Sequence, residues 1–289
     1  MNRYCINILL ASSLFSMLYA EPSMVYLFAH GLSCNDQQGY KYCTLKHDWW
    51  VLKEPLVTFN FPDATNGFNC SQTSLAQANE IEALKNAYKL AKKKGDHIIL
   101  AGMSRGAATI ITFAGTRSAK RLGALIAESP FDSIANIIEY KLKQEHVSWI
   151  PQFITQTAPK VVFNQYDPHG VFPIDVVSKI RHDLPLLLVC SLEDLIVPAY
   201  STAQLYFQLR DTGHEHAYLL LLNKGHHGSL LWQEDGDTYI AVVHAFYQKY
   251  GFEHDPHHRT KGELLLAQCQ PTKEVVVKAL EDKVSYILY

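Results

Sequence analysis

The sequence predicts an α/β protein whose mostly parallel sheet carries helices on both faces. Three observations carry this. Short apolar runs of strand length recur along the chain, helix-length segments separate them, and the polar loops richest in reactive side chains fall just past the apolar runs. Hydrophobic residues make up 48% of the 289-residue chain and charged residues 19%, which supplies a large core and excludes a disordered chain. The net charge of −2, with no basic stripe, argues against a nucleic-acid partner.

The elements follow in order. Residues 1–20, "MNRYCINILLASSLFSMLYA", place Arg3 ahead of an apolar stretch reaching Leu18 and a small residue, Ala20, before "EPS". These are the three parts of a secretory signal peptide, and a buried N-terminal strand is the competing reading. On the first reading the mature chain starts near Glu21 and is secreted or, in a bacterium, periplasmic. It has no stable membrane span, because no later apolar run approaches bilayer length. "MVYLFAHG" and "PLVTFNFP" then read as strands, and residues 74–94 as a helix, with Leu75, Ala78, Ile81, Leu84, Tyr88 and Ala91 on one face. "HIILAG", "LGALIAESP", "LPLLLVCS" and "HAYLLLL" read as further strands, with helices after the first, third and fourth.

Residues 131–183 interrupt this rhythm with Pro151, Pro159, Pro168 and Pro173, and read as a small cap inserted over the carboxyl end of the sheet. The core therefore spans 21–130 and 184–250. Residues 251–289 form a C-terminal extension, polar at first and then with a helical pattern. Without Cys5 there remain Cys34, Cys43, Cys70, Cys190 and Cys269. An odd number leaves at least one thiol unpaired within the chain, and an exported protein can keep a disulfide among the first three. Cys190, inside an apolar strand, reads as a buried small hydrophobe.

Chemistry enters at "HIILAGMSRGAATIITFAG". Gly102-Met103-Ser104-Arg105-Gly106 fits Gly-x-Ser-x-Gly, a pattern common by chance but informative between a strand and a helix. There it marks a sharp turn that presents the serine. An ordinary helix N-cap is the bland alternative for Ser104. A serine nucleophile needs a base, and the base needs an orienting acid. "CSLEDLIVP" offers Glu193 and Asp194, and "NKGHHGSL" offers His226 and His227, both just past predicted strands and in the chain order Ser, acid, His.

These residues resemble the α/β-hydrolase superfamily, and within it the prolyl-oligopeptidase-like, serine-aminopeptidase-like and esterase-like branch. "FAHG" is similar to the oxyanion loop, "GMSRG" to the nucleophile elbow, "IAESPF" to the strand after it, "PLLLVCSLEDLIVP" to the acid loop and "KGHHG" to the histidine loop. The resemblance runs from Met24 to about Tyr250. It implies an α/β-hydrolase fold, Ser104 as nucleophile, Asp194 as acid and His227 as base, with His226 an open alternative. Glu128, ending "LGALIAE", is a further candidate acid only by its resemblance to the acid position of some α/β hydrolases. It also implies an oxyanion hole from the backbone N–H groups of Leu32 and Arg105, with His30, Gly31 and Met103 lining the substrate site. The Arg105 side chain is left between an acidic substrate group and a structural salt bridge.

The expected activity is hydrolysis of a carboxylic ester or an amide in a small molecule or peptide, with no cofactor and no metal. "HDPHHR" (residues 254–259) lacks the spacing of a zinc site. Trp149, Ile150, Phe153, Ile154, Phe163 and Tyr166 of the cap suit either an apolar acyl group or the cap's own core. A non-catalytic binding protein on the same fold is the alternative. A nucleotide-binding α/β protein is excluded by the lack of a Gly-rich phosphate motif after a strand. "NCS" at Asn69 is a formal glycosylation acceptor.

Overall fold

In the parallel strand runs nearly every side chain is apolar, because both faces of each strand must be covered. The computed structural model describes residues 24–45, 55–64, 68–116, 119, 121–146 and 149–288. The signal-peptide reading of residues 1–20 lies outside them. Six strands pair throughout in parallel: β1 (Met24–Ala29), β2 (Leu56–Thr58), β3 (His97–Met103), β4 (Leu122–Glu128), β5 (Leu186–Ser191) and β6 (Ala217–Leu222), in the order β2-β1-β3-β4-β5-β6. The order reverses at β1 and β3, the kind of switch point where open α/β sheets place their sites.

Alternation sorts each strand. Val25, Leu27 and Ala29 face one core, together with Ile98, Leu100, Leu186 and Leu188, while Tyr26, Phe28, Ile99, Met103 and Val189 face the other. The first core is closed by α2 (Ala78–Ala91), α3 (Arg105–Ala114), α8 (Ala199–Asp211) and α11 (Lys273–Asp282). The second is closed by α1 (Asp36–Leu45), α9 (Gly236–Lys249) and α10 (Pro256–Gln268). Between β4 and β5, where the sequence suggests a cap, lie α4 (Ile134–Gln144), α5 (Gln152–Thr157), α6 (Pro159–Val162) and α7 (Pro173–Val176). Among the described residues no helix is long and apolar enough to cross a membrane.

The structure departs from the sequence pattern in four places. The helix expected over residues 74–94 starts only at Ala78, since Leu75 and Ala76 take positive φ values of 55° and 69°. The buried Glu80 carboxylate draws in the Ser74 N–H at 2.8 Å, the Leu75 N–H at 3.2 Å and the Ser74 hydroxyl, folding this stretch into a turn. The strand expected across "PLVTFNFP" keeps only Leu56–Thr58, because Phe59 and Phe61 leave the ladder to pack on the His30 ring. The extension forms two helices rather than one. The first begins in the polar stretch and packs through Gly262, where a Cβ would fall 1.8 Å from the Ala241 carbonyl oxygen. Cys34, Cys43 and Cys70 stay free, standing on the loop after β1, on α1 and on a turn of 3-10 helix (Cys70–Gln72).

Candidate active site

Strand β3 delivers Ser104 to a corner that resists an ordinary turn. Its φ of 56° and ψ of −121° are rarely adopted by a residue with a side chain, a strain of about 1–3 kcal/mol that the surroundings must hold. Glycine makes the corner possible. A Cβ on Gly102 would lie 2.8 Å from the Gly106 backbone, and one on Gly106 would lie 2.1 Å from the Ala29 carbonyl oxygen. The Ser104 N–H donates to the Glu128 carbonyl at 2.8 Å, and its carbonyl accepts the Ala108 N–H at 2.9 Å. The N-cap alternative fails on geometry, as the hydroxyl caps no helix N–H. It points instead to a histidine.

His227 Nε2 lies 2.8 Å from the Ser104 hydroxyl, and His227 Nδ1 lies 2.7 Å from Asp194 Oδ2. The other oxygen, Asp194 Oδ1, accepts the Ile196 and Val197 N–H groups at 2.9 Å each. Those donors aim the carboxylate at Nδ1, which must carry the proton. Nε2 is thereby left to accept one from Ser104. The histidine loop is shaped by Gly225 and Gly228 at φ 136° and 74°. His226 is exposed on it, and Glu193 turns outward to Lys224 at 2.7 Å. The structure thus brings Ser104, Asp194 and His227 together and leaves His226 and Glu193 apart.

The loop after β1 is pinned from below. Arg105 Nη2 donates to the Gly31 carbonyl at 3.1 Å, and the His30 ring donates to the same oxygen at 2.8 Å through Nδ1. A trans peptide points its C=O and N–H in opposite directions. With the Gly31 carbonyl drawn into the core, the Leu32 N–H faces away from it. A Cβ on Gly31 would stand 3.6 Å from that of Ser104 and 3.3 Å from the Met103 methyl, so the bare backbone sits against the nucleophile.

The His30 side chain, expected at the substrate, lies elsewhere, and the Arg105 side chain takes the structural salt bridge of its two open readings. His30 is 1% exposed, and its Nε2 accepts the Phe61 N–H at 3.4 Å. Burial, opposed by the Gly31 hydrogen bond, lowers its pKa to about 4 and keeps it neutral. Arg105 is equally buried. It pairs with Asp63 at 2.6 Å and Glu80 at 3.7 Å, reaches the Thr73 hydroxyl at 3.3 Å and lies 4.4 Å over the Phe61 ring. Side chains so enclosed meet no substrate, and both brace the loop. Of the cap residues, Tyr166 is buried, whereas Trp149, Phe153 and Ile154 are exposed. Residues 254–259 open α10, where His258 stacks on His244 at 5.3 Å.

The other side of the corner holds Glu128, the alternative acid of the sequence. Glu128 is fully buried, and its Oε2 accepts the Tyr42 hydroxyl at 2.5 Å. Burial pushes its pKa up to about 7, against the opposing effect of the hydroxyls of Tyr42 and Tyr239. Those tyrosines carry no motif. Only their periodic place on the buried faces of α1 and α9 could have marked them.

Comparison with known proteins fits this geometry. The model of the prolyl oligopeptidase family matches residues 76–251, which is more than half of the chain. The chain belongs to this family. A curated relative, the uncharacterized protein YqkD of Bacillus subtilis, is 27% identical over 227 residues, covering 76% of this chain and 70% of YqkD. The esterase Pf2001 of Pyrococcus furiosus superposes with a TM-score of 0.60 at 16% identity, over 78% of this chain and 82% of its own. An acylaminoacyl peptidase of Pyrococcus horikoshii gives a TM-score of 0.56 at 16% identity, over 84% of this chain but 39% of the peptidase. At such identities the likeness is one of fold, and the fold is that of the α/β hydrolases. Family and fold together make this prolyl oligopeptidase family member an enzyme of the serine hydrolase type.

Proposed function

We propose that the protein hydrolyses a carboxylic ester or an amide through an acyl-enzyme formed on Ser104. The observation that supports this best is the continuous hydrogen-bonded line from Ser104 to His227 to Asp194, at 2.8 and 2.7 Å. In this reading His227 takes the Ser104 proton as the hydroxyl attacks the acyl carbon and returns it to the departing alcohol or amine. Water then repeats the cycle to release the acid. Asp194 holds the tautomer and stabilises the imidazolium. The Leu32 and Arg105 N–H groups receive the oxyanion, each worth about 2.7–4 kcal/mol of barrier. The chemistry uses no cofactor.

Apolar side chains exposed on the acid loop, Leu195 and Ile196, and on the insert, Trp149 and Phe153, support an apolar acyl group as the substrate's recognised part. The insert reaches that loop, since the Lys141 ammonium donates to the Leu195 carbonyl. Export under residues 1–20 belongs to the same proposal, and N-terminal sequencing of the mature protein checks it. A binding protein on this fold has no need of the strained corner at Ser104. A fluorophosphonate probe should label the wild type and not Ser104→Ala, and acyl esters of graded chain length should then be cleaved with a preference for apolar chains. A folded wild type that neither labels nor hydrolyses a small ester would sink the reading.

A further inference from the structure

Glu128 is a buried carboxyl that the acyl-transfer scheme leaves unused. It ends β4, between β3, which delivers Ser104, and β5, which leads to Asp194. Its backbone carbonyl already holds the Ser104 N–H. Register pairs Glu128 with Met103, so the two side chains leave the sheet on the same face. The histidine loop lies over that face, for a Cβ on Gly228 would sit 3.7 Å from the Met103 sulfur. The carboxyl therefore stands under the loop carrying His227, within electrostatic reach of both His227 and Asp194.

The groups around it come from every element packed there. Helix α1 supplies Tyr42, which donates to it, and Cys43, whose thiol is pushed up by burial and then by Glu128. Helix α9 supplies Tyr239, whose hydroxyl is likewise pushed up by burial and then by Glu128. The two loops supply His227 and Asp194.

We propose that Glu128 is a second acidic positioning residue of the active site, acting through His227: as a carboxylate it stabilises the imidazolium formed while Ser104 attacks, and as a neutral acid it does not. The inference rests on the acyl-transfer reading of Ser104. Because burial places the change of form near pH 7, the support is absent in mild acid and present in mild base. A single charge acting through a partly screened interior is worth about tenfold in rate.

The test is the pH dependence of kcat/KM, and of the fluorophosphonate labelling rate, for wild type and Glu128→Gln. The expected result is a ratio near one in mild acid that grows to about tenfold in favour of wild type in mild base. A ratio that stays constant with pH, at one or any other value, overturns the proposal. Should the amide variant fail to fold, Tyr42→Phe removes a donor that stabilises the carboxylate, and must move the wild-type inflection to higher pH. An unmoved inflection is equally fatal. The two readings fail differently. A wild type that does not label takes both down, whereas normal labelling with a flat ratio removes Glu128 alone.

Discussion

Two buried acidic environments flank Ser104, one on each face of the sheet, and they handle charge in opposite ways. On the first face, Asp63 and Glu80 gather around the Arg105 guanidinium, which also takes the Gly31 carbonyl and covers the Phe61 ring. On the second, Glu128 is met by tyrosine hydroxyls, and its carboxyl is pushed up to about 7. Both environments are buried, and they differ in the partner each supplies: a guanidinium on one face, hydroxyls on the other. The paired cluster is suited to holding a loop still, and the hydroxyl-bound acid to changing charge near neutrality.

The first face depends most on Arg105. Replacing it by Met keeps the bulk and removes the cation, leaving Asp63 and Glu80 buried without it. Breaking such a pair typically costs about 3–5 kcal/mol. Chemical denaturation should show a loss of that size, and any Arg105→Met protein that folds should hydrolyse esters slowly with KM little changed, since the Gly31–Leu32 peptide has lost a donor. Arg105→Lys should recover part of the stability and less of the rate, because an ammonium cannot span Asp63 and the Gly31 carbonyl with a planar fork. A rate unchanged in both variants would separate the cluster from the site.

The next effect is a stability that depends on pH with a sign set by each group. Between 4.5 and about 7, folded Glu128 keeps a proton that the unfolded chain has released, so stability falls as pH rises through that window. His30 and His214 act in reverse. Burial lowers both from 6.5 to about 4, so their contribution is complete above 6.5 and is lost as pH falls toward 4. Glu128→Gln should therefore gain on wild type by roughly 3 kcal/mol between mild acid and mild base, at about 1.4 kcal/mol per pH unit. Urea unfolding at a series of pH values reads this directly. A difference that does not change with pH would mean that folded Glu128 titrates as it does in the unfolded chain.

The two faces also differ in how far the sequence exposed them. The corner at Ser104 was legible because Gly102 and Gly106 bracket it between a strand and a helix, whereas Asp194 and His227 entered through the resemblance of their loops. Between His227 and His226 the sequence left the base open, and His227 came forward only through the resemblance. What could not be read were contacts between residues far apart in the chain. Arg105 meets Asp63 from 42 residues away, and Tyr42 meets Glu128 from 86. The same blindness placed His30 at the substrate, since nothing in "FAHG" shows Phe59 and Phe61 closing over the ring. The late start of α2 has a local cause that periodicity hides: Leu75 is buried as a helical pattern requires, yet it reaches the core from a turn built around Glu80.

On the hydroxyl side a smaller change is expected. Tyr42→Phe removes one oxygen and keeps the ring, which stacks on Phe28 at a centroid distance of 5.6 Å. Below the Glu128 transition the lost bond joins two neutral groups and is worth about 1 kcal/mol. Above it the acceptor is charged, and the loss should grow to about 1.5–3 kcal/mol. The variant's deficit in urea unfolding should therefore widen as pH rises through about 7, opposite in direction to the shift expected for Glu128→Gln. A deficit equal at both ends of the range would mean that the tyrosine bonds the acid in one protonation state throughout, and that the two faces differ in chemistry without differing in behaviour.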